Sequence, residues 1–328
     1  MQELKNWPVF SEDEQSAVLK ILSNGKVNYW TGNEGKNFEL EFAKYHNRKF
    51  AIAVANGTLA LELALFAIGL QPGDSVIVPS RTFIGTASSV VARGGVPVTA
   101  DVDEVSQNIT VETIKNVITP AVKGVIVVHL AGWPCELSEI ASFCKQEGLF
   151  LIEDCAQAHG AKIDGVIAGS VGDCAAFSFC QDKIISTGGE GGMLLINDEN
   201  LWRKAWSYRD HGKSFDEVFK EDHPPGFRWL HDTFGTNWRM TEMQAAIGRI
   251  QLSKLESWVE QRRANAEKLY NGLKNTKGLI VNAPSSREYH SYYRFYAFLE
   301  LEKMKTGWGQ GKILSEINKK GVPCSVGS

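Results

Sequence analysis

The chain has 328 residues, of which 43% are hydrophobic, and its formal net charge is −3. That length and apolar content allow a substantial core, in one large α/β domain or in two domains, while the weak negative charge excludes the broad basic field that nucleic acid or an anionic membrane requires. No apolar run reaches the length of a membrane span, residues 1–7 do not begin a signal peptide, and the six cysteines form no CxxC pair. We therefore expect a cytoplasmic protein without a metal site.

A capped helix is predicted near the start of the chain, over Glu12 to Ser23. Ser11 and Glu14 have the spacing of a capping box, and Gly25 follows as a stop. The next segment, Val27 to Gly35, is polar and aromatic, which is equally consistent with ordinary surface and with a binding loop.

Short apolar runs then alternate with helix-length amphipathic runs. This alternation is typical of βαβ units, so the predicted fold class is α/β, with a mainly parallel sheet flanked by helices. The strand-like runs are Ala51 to Ala55, Ser75 to Val78, Val96 to Ala100, Gly124 to Val128, Leu149 to Ile152, Ala175 to Phe179 and Met193 to Ile196.

Three of these runs are followed or closed by polar groups that could bind a ligand. Asn56-Gly57-Thr58 opens a helix that Gly69 closes, and the free N–H groups at a helix start suit a phosphate. Asp154 lies at the carboxyl end of a strand, where ligands bind in open α/β sheets. Ser178 alternates with Phe177 and Phe179, so it points away from their face and needs a polar partner, either a phosphate or a backbone carbonyl.

A single lysine, Lys183, lies in a turn between two core strands. Most lysines are solvated surface charges. However, burial lowers the pKa of a lysine, and its neutral amine can then hold a carbonyl as a Schiff base, as in pyridoxal phosphate sites. Such a site also needs a carboxylate for the pyridine nitrogen, a phosphate cradle and a flat side chain. Asp154, Asn56-Gly57-Thr58 and Phe83 are the candidates, although Phe83 fits a core aromatic equally well.

The last third of the chain begins with a long polar excursion, Lys213 to Thr233. Asn237 then precedes a long amphipathic helix, and it could either cap that helix or present its amide across a subunit interface. Further on, Tyr292 to Phe298 suggests a strand of a smaller α+β domain.

Taken together, these motifs resemble the DegT/DnrJ/EryC1/StrS family of pyridoxal-phosphate-dependent sugar aminotransferases, which have fold type I. The resemblance runs from about Gly25 through Leu273. It rests on Asn56-Gly57-Thr58, Pro79-Ser80-Arg81-Thr82-Phe83, Glu153 to Ala161, Ser178 to Lys183, and Gly235-Thr236-Asn237-Trp238-Arg239-Met240.

The resemblance implies a role for each matching residue. Lys183 would bond to pyridoxal 5′-phosphate and Asp154 would face its pyridine nitrogen. Gln157 and Phe83 would lie against the ring. The phosphate would be held by Gly57, Thr58 and Ser178, and by Asn237 from the second subunit of a homodimer with shared sites. The substrate side would include Tyr29, Trp30, Thr31 and His211.

The implied activity is amination of a nucleotide-linked keto sugar, with glutamate as the expected donor, for bacterial surface polysaccharide such as the O-antigen of lipopolysaccharide. One alternative is a dehydratase of the same family, which the resemblance disfavours because those members have histidine in place of Lys183. Another is a cofactor-binding regulator without turnover. The sequence distinguishes neither the nucleotide nor amination at C3 from amination at C4.

Two domains are expected, a large cofactor-binding domain over residues 1–255 and a small C-terminal domain over residues 256–328. The N-terminal segment could pack with the small domain. Relative to the family the small domain is expected to be incomplete, since relatives continue beyond Ser328.

Overall fold

The structure is a computed structural model that describes residues 7–220, 222 and 225–327. Its strands are β1 (Phe50–Val54), β2 (Ser75–Pro79), β3 (Val96–Ala100), β4 (Val122–Val128), β5 (Phe150–Asp154), β6 (Lys162–Ile163), β7 (Val166–Ile167), β8 (Cys174–Ser178), β9 (Gly192–Ile196), β10 (Leu279–Ile280), β11 (Glu288–Tyr289) and β12 (Phe298–Leu299). Its α-helices are α1 (Glu12–Asn24), α2 (Glu34–Tyr45), α3 (Gly57–Ile68), α4 (Gly85–Ala92), α5 (Val111–Lys115), α6 (Leu137–Glu147), α7 (Glu199–Arg209), α8 (Phe215–Phe219), α9 (Glu242–Leu273) and α10 (Gln310–Lys319).

The centre of the molecule is a seven-stranded sheet with the order β1-β9-β8-β5-β4-β2-β3. Neighbouring strands are parallel except around β9, which is antiparallel to β1 and to β8. The predicted mainly parallel sheet is therefore confirmed, and each of its strands lies within two residues of the predicted bounds.

Helices cover both faces of this sheet, which is why its central strands are apolar along their whole length. On one face, Phe42 of α2 and Leu255 of α9 belong to the same buried cluster as Phe177 of β8. On the other face, Leu65 of α3 and Trp206 of α7 pack in a second cluster. The strand ends that carry the predicted site residues are thus held between two packed layers.

The predicted ends of the early helices are confirmed. Ser11 and Glu14 form the capping box of α1, and Gly25 follows it with a φ of 71°. Asn56 caps α3 by accepting a hydrogen bond from the Leu59 N–H. The N-terminal segment packs on α9, where the rings of Trp7 and Trp258 meet edge to face at 5.4 Å.

In the last third of the chain the structure excludes one alternative and contradicts one prediction. Thr241 caps α9 by accepting from the Gln244 N–H, so Asn237 is not the cap of this helix. The polar excursion contains the short helix α8, which Ser214 caps. Tyr292 has a positive φ of 48°, which interrupts the strand expected there, and only Phe298–Leu299 of that segment is extended and paired.

The expected domain boundary between residues 255 and 256 falls inside α9. This helix runs unbroken for 32 residues because apolar positions continue past the boundary, with Leu255, Val259 and Ala266 all buried. Among the residues that the structure describes, no helix has the length and apolar character needed to cross a bilayer.

Candidate active site

The predicted cofactor residues gather at one edge of the central sheet. Asp154 is the last residue of β5, Ser178 is the last residue of β8, and Gly57 is the first residue of α3. Since β5 and β8 are parallel neighbours, their carboxyl ends lie side by side.

Asp154 is a buried carboxyl group with two donors. The Thr86 hydroxyl donates to Oδ2 at 2.8 Å, and the Ala156 N–H donates to Oδ1 at 3.1 Å. Burial raises the pKa of Asp154, while these two hydrogen bonds and the positive charge of Lys183 act in the opposite direction. A cation placed beside Asp154 would therefore stabilise its charged carboxylate form.

The start of α3 lies directly against the end of β8. A Cβ on Gly57 would come within 2.6 Å of the Ser178 Cβ, so no side chain fits at residue 57. The first N–H groups of a helix lack acceptors within that helix, which leaves those of Gly57 and Thr58 for a ligand. The Ser178 hydroxyl accepts from the Cys180 N–H at 3.3 Å and can still donate its own proton.

Phe83 lies in the segment between β2 and α4. Its side chain is 65% exposed, so the structure does not place it in the core, which was its alternative assignment. A Cβ on Gly85 would lie 3.0 Å from the Phe83 ring and 3.1 Å from the Thr58 hydroxyl oxygen. The aromatic ring and the start of α3 therefore border the same space.

Gln157 is buried, and its side chain forms a hydrogen bond within the protein. Its Oε1 accepts a hydrogen bond of 2.6 Å from the Ala131 N–H, in the loop that follows β4. Ala131 has a positive φ of 58°, an uncommon conformation for alanine, which this contact helps to hold. Gln157 thus ties the segment after Asp154 to the neighbouring loop.

Lys183 is held through both its backbone and its side chain. Its carbonyl oxygen accepts from the Trp7 indole N–H at 2.9 Å. Its Nζ lies 3.3 Å from Asp182 Oδ1 and 3.3 Å from the Tyr293 hydroxyl oxygen. The lysine side chain is 15% exposed. Its amine is therefore largely enclosed but still reachable.

Sequence reasoning missed Tyr293, Asp182 and Thr86. Tyr293 lies 110 residues after Lys183, in a run of aromatic residues that we predicted to be a strand. A strand prediction for this run does not indicate that Tyr293 lies beside Lys183. Of these three residues, only Asp182 could have been found from the local sequence, because it is an acid directly before Lys183.

A buried charge network lies directly behind Asp154. Glu153 accepts from the N–H groups of Gly169, Val171 and Gly172, and its Oε2 lies 3.2 Å from His129 Nε2. Burial by itself would raise the pKa of Glu153, but the contact with His129 and the charge of Arg48 hold it below its usual value. His129 thus supports the strand that carries Asp154.

The predicted substrate-side residues meet in a second cluster. The Tyr29 hydroxyl donates to Glu39 at 2.9 Å, and the Trp30 indole N–H donates to Asp210 at 2.6 Å. The Thr31 hydroxyl donates to the Asn28 carbonyl oxygen at 3.0 Å. The polar groups of these three side chains are thus all engaged within the protein.

His211 and Asn237 lie on the exposed side of this cluster. His211 has a φ of 60°, and its N–H donates to the Thr236 carbonyl oxygen at 2.7 Å. Asn237 is exposed and forms a backbone bridge with Asp210. The neighbouring Trp238 carbonyl oxygen accepts from the Ala55 N–H at 2.9 Å, which places this segment beside the start of α3.

The residues present fit pyridoxal phosphate. The helix start that excludes a side chain at Gly57 matches a phosphate, the buried carboxyl of Asp154 matches a protonated pyridine nitrogen, and the exposed ring of Phe83 matches a flat heterocycle. The amine of Lys183 matches an aldehyde. No metal is needed for these contacts.

Comparison with known proteins gives a match over nearly the whole chain. The sequence profile described as the DegT/DnrJ/EryC1/StrS aminotransferase family matches residues 8–326. A solved structure, the aminotransferase from Psychrobacter cryohalolentis, is 49% identical, with a TM-score of 0.95 over 98% of this chain and 83% of that one.

Curated relatives carry the names of enzymes acting on several nucleotide sugars. A GDP-perosamine synthase of Caulobacter vibrioides is 41% identical over 78% of this chain and 69% of its own. A dTDP-3-amino-3,4,6-trideoxy-α-D-glucose transaminase of Streptomyces venezuelae is 35% identical over 84% and 69%. A UDP-N-acetyl-3-dehydro-α-D-glucosamine 3-aminotransferase of Acidithiobacillus ferrooxidans is 39% identical over 76% and 64%.

Two further likenesses carry other names. A GDP-4-keto-6-deoxy-D-mannose-3-dehydratase of E. coli with bound hydrated pyridoxal phosphate is 26% identical, with a TM-score of 0.85 over 98% of this chain and 85% of that one. A pleiotropic regulatory protein of Geobacillus stearothermophilus is 36% identical over 87% and 74%.

Proposed function

Because this chain belongs to the DegT/DnrJ/EryC1/StrS aminotransferase family, we propose that it transfers an amino group from glutamate to a nucleotide-linked keto sugar, in the formation of a bacterial surface polysaccharide such as O-antigen. The chain is a sugar-nucleotide aminotransferase with fold type I architecture, and its cofactor is pyridoxal 5′-phosphate. The donor, the pathway, a cytoplasmic location and the assignment of site residues belong to the proposal.

One observation carries the assignment of the site. The amine of Lys183 is partly enclosed, and it lies close enough to the buried carboxyl of Asp154 for its charge to lower the pKa of that carboxyl against the effect of burial. A pyridoxal phosphate enzyme needs an amine for the cofactor aldehyde and an acid for the pyridine nitrogen.

Pyridoxal phosphate, when bound, supplies an electron sink through its protonated pyridine nitrogen. Asp154 holds that proton, because its buried carboxylate gains an opposite charge there. Lys183 removes and returns the proton at the substrate carbon that bears the nitrogen. Gly57 and Thr58 donate their N–H groups to the phosphate, and Ser178 donates its hydroxyl.

Phe83 would lie against the cofactor ring and exclude water from it. We also propose that the active unit is a homodimer, in which Asn237 completes the phosphate site of the other subunit. The exposed position of Asn237, and its exclusion as the cap of α9, support this proposal.

Dehydration is the second candidate, because the fold is also similar to that of a sugar-nucleotide dehydratase. Lys183 favours amination, since its primary amine can both bond to the cofactor and move the proton. Product analysis separates the two reactions, because only amination adds nitrogen to the sugar.

The test supplies glutamate and a panel of GDP-, dTDP- and UDP-linked keto sugars to the wild type and to Lys183→Ala. We expect the wild type to aminate at least one sugar, and the variant to lose at least ~10³-fold in rate, because both the covalent link and the proton shuttle are gone. Borohydride should trap the cofactor on the wild type only. A cofactor still trapped on the variant contradicts the assignment of Lys183, and a deoxygenated product without nitrogen contradicts amination.

A further inference from the structure

Two side chains contact the amine of Lys183 and also contact each other. Its Nζ lies 3.3 Å from Asp182 Oδ1 and 3.3 Å from the hydroxyl oxygen of Tyr293. The Tyr293 hydroxyl in turn donates to the other carboxylate oxygen of Asp182, Oδ2. The amine therefore faces two acceptors that are also bonded to each other.

The charges of these groups suit a protonated amine. Although burial alone would raise the pKa of Asp182, the Tyr293 hydroxyl and the Lys183 charge hold it below its usual value, so Asp182 is a carboxylate at neutral pH. Burial and the hydrogen bond to Asp182 raise the pKa of Tyr293, so its hydroxyl keeps its proton. That proton goes to Asp182, which leaves the hydroxyl oxygen free to accept from Lys183.

Tyr293 is fixed by contacts that do not involve the lysine. The Arg294 N–H donates to the Ala131 carbonyl oxygen at 3.2 Å, and the Ser291 N–H donates to the Gly132 carbonyl oxygen at 3.0 Å. These bonds attach the tyrosine's segment to the loop that Gln157 holds. The tyrosine itself is only 6% exposed, so its hydroxyl is presented from a rigid position.

We propose that Asp182 and Tyr293 are positioning residues that form a holding site for the amine of Lys183 whenever that amine is not bonded to the cofactor. The holding site keeps the freed amine at the position where Asp182 and Tyr293 contact it and prevents its flexible side chain from turning into solvent. This inference rests on the proposed role of Lys183, and it adds a requirement for two residues that the family motifs quoted above do not assign to catalysis.

The first test uses the cofactor-free protein, so that it does not depend on turnover. Acetic anhydride at pH 7.5 modifies unprotonated accessible amines, and mass spectrometry gives the labelling of Lys183 relative to Lys162 in the same sample. We expect this ratio to rise about fivefold in Asp182→Asn, which loses the carboxylate, and about twofold in Tyr293→Phe, which loses one hydrogen bond. The matched control is Tyr292→Phe, which removes the hydroxyl of the adjacent tyrosine and should leave the ratio unchanged.

The double variant Asp182→Asn/Tyr293→Phe tests whether the two residues act as one unit. Its labelling ratio should rise by less than the product of the two single effects, because each single change already disrupts the shared site. An unchanged ratio in both single variants overturns the proposal, and so does an equal rise in Tyr292→Phe.

The second test measures the glutamate half-reaction with cofactor bound. We expect kcat to fall about tenfold or more in Tyr293→Phe while KM for glutamate stays within about twofold, because the loss concerns placement of the amine after the donor has bound. If Asp182→Asn and Tyr293→Phe change only KM and leave kcat at the wild-type value, this role is contradicted. Borohydride trapping separates the two proposals: a link retained in Lys183→Ala refutes the proposed function, whereas an essential Lys183 with unaltered labelling in Asp182→Asn and Tyr293→Phe refutes only the holding site.

Discussion

The burial of Asp154 affects how readily its carboxyl group carries a charge. Its carboxyl lies at a buried strand end with two hydrogen-bond donors, and burial raises its pKa while Lys183 and those donors act against that shift. A protonated pyridine nitrogen would supply the missing opposite charge. We therefore expect the proposed role of this residue to depend on its charge, which an isosteric amide removes.

We predict that Asp154→Asn keeps the cofactor but loses most of its turnover. The amide preserves the shape of the site but no longer favours the protonated pyridine nitrogen, so single-turnover amination should slow by about 10²-fold or more. Absorbance gives the bound cofactor and rapid mixing gives the rate. Asp101→Asn, which changes an exposed aspartate directly after β3, is the matched control and should behave as wild type. Near-normal amination by Asp154→Asn would show that another residue holds the proton.

Buried histidines should make the protein sensitive to acid. Burial lowers the pKa of His46 from 6.5 to about 4, even though its Nδ1 is bonded to the Phe42 carbonyl oxygen. The folded pKa is depressed, so the unfolded chain takes up the proton first as the pH falls. The resulting stability is complete above pH 6.5 and is lost progressively between 6.5 and about 4.

We therefore predict that His46→Phe reduces the loss of unfolding free energy between pH 7 and pH 4. Phenylalanine keeps an aromatic ring against Phe42 and Phe177 but cannot be protonated. Urea unfolding of the cofactor-free protein at several pH values measures the effect. His211→Gln, at an exposed position, should keep the wild-type pH dependence. An identical dependence in His46→Phe and wild type would contradict this account.

The residues that sequence could predict are those tied to a strand end or a helix start. Asp154, Ser178 and Gly57 are fixed by local pattern and by the rule that ligands bind at the carboxyl ends of parallel strands. Tyr293 could not be found in this way, because its contact with Lys183 joins residues 110 positions apart and no local pattern marks it.

At the scale of elements, α3 and β8 approach so closely that a single atom decides their spacing. A Cβ on Gly57 would meet the Ser178 Cβ at 2.6 Å, and the helix must shift to relieve that contact. The same shift would move the N–H groups that we assign to the phosphate.

We predict that Gly57→Ala weakens cofactor affinity about 10-fold to 100-fold and lowers the stability of the cofactor-free protein by ~1–3 kcal/mol through overpacking. Titration with pyridoxal phosphate and urea unfolding measure the two effects. Gly272→Ala makes the same change in α9, where an added Cβ meets nothing within 4 Å, and it should be neutral or stabilising by up to ~1 kcal/mol. Wild-type affinity in Gly57→Ala would contradict the proposed phosphate cradle.

Element prediction succeeded where one periodicity dominates. The strands of the seven-stranded sheet and the ends of α1 and α3 follow directly from apolar runs and end signals. It failed at Tyr292 to Phe298, because a run of aromatic residues indicates burial without fixing the backbone path. The domain boundary expected near residue 256 falls inside α9, since a change in composition does not end a helix whose apolar face continues.

At the scale of the whole molecule, the proposed homodimer has a direct test. We predict that mixing inactive Lys183→Ala with inactive Asn237→Ala restores part of the activity. If each site takes Lys183 from one subunit and Asn237 from the other, a heterodimer carries both lesions in one site and leaves the other intact. At full exchange about a quarter of all sites are then intact, because half of the dimers are mixed.

The control for this experiment is each variant incubated alone, with subunit exchange followed by native mass spectrometry. If exchange is complete and activity does not return, the sites are private and Asn237 acts within its own chain or not at all.

The position of β1 has a consequence for how the protein is made. This first strand pairs with β9, with Phe50 opposite Ile196, so the sheet cannot close on that side until the ribosome has added nearly 150 further residues. Until then the backbone N–H and C=O groups of β1 that pair with β9 have no hydrogen-bond partner in that strand. Long-range pairing of this kind slows folding and exposes the chain to aggregation during translation. The phosphate cradle that we propose also depends on a late segment, because Ser178 at the end of β8 is synthesised more than 120 residues after β1.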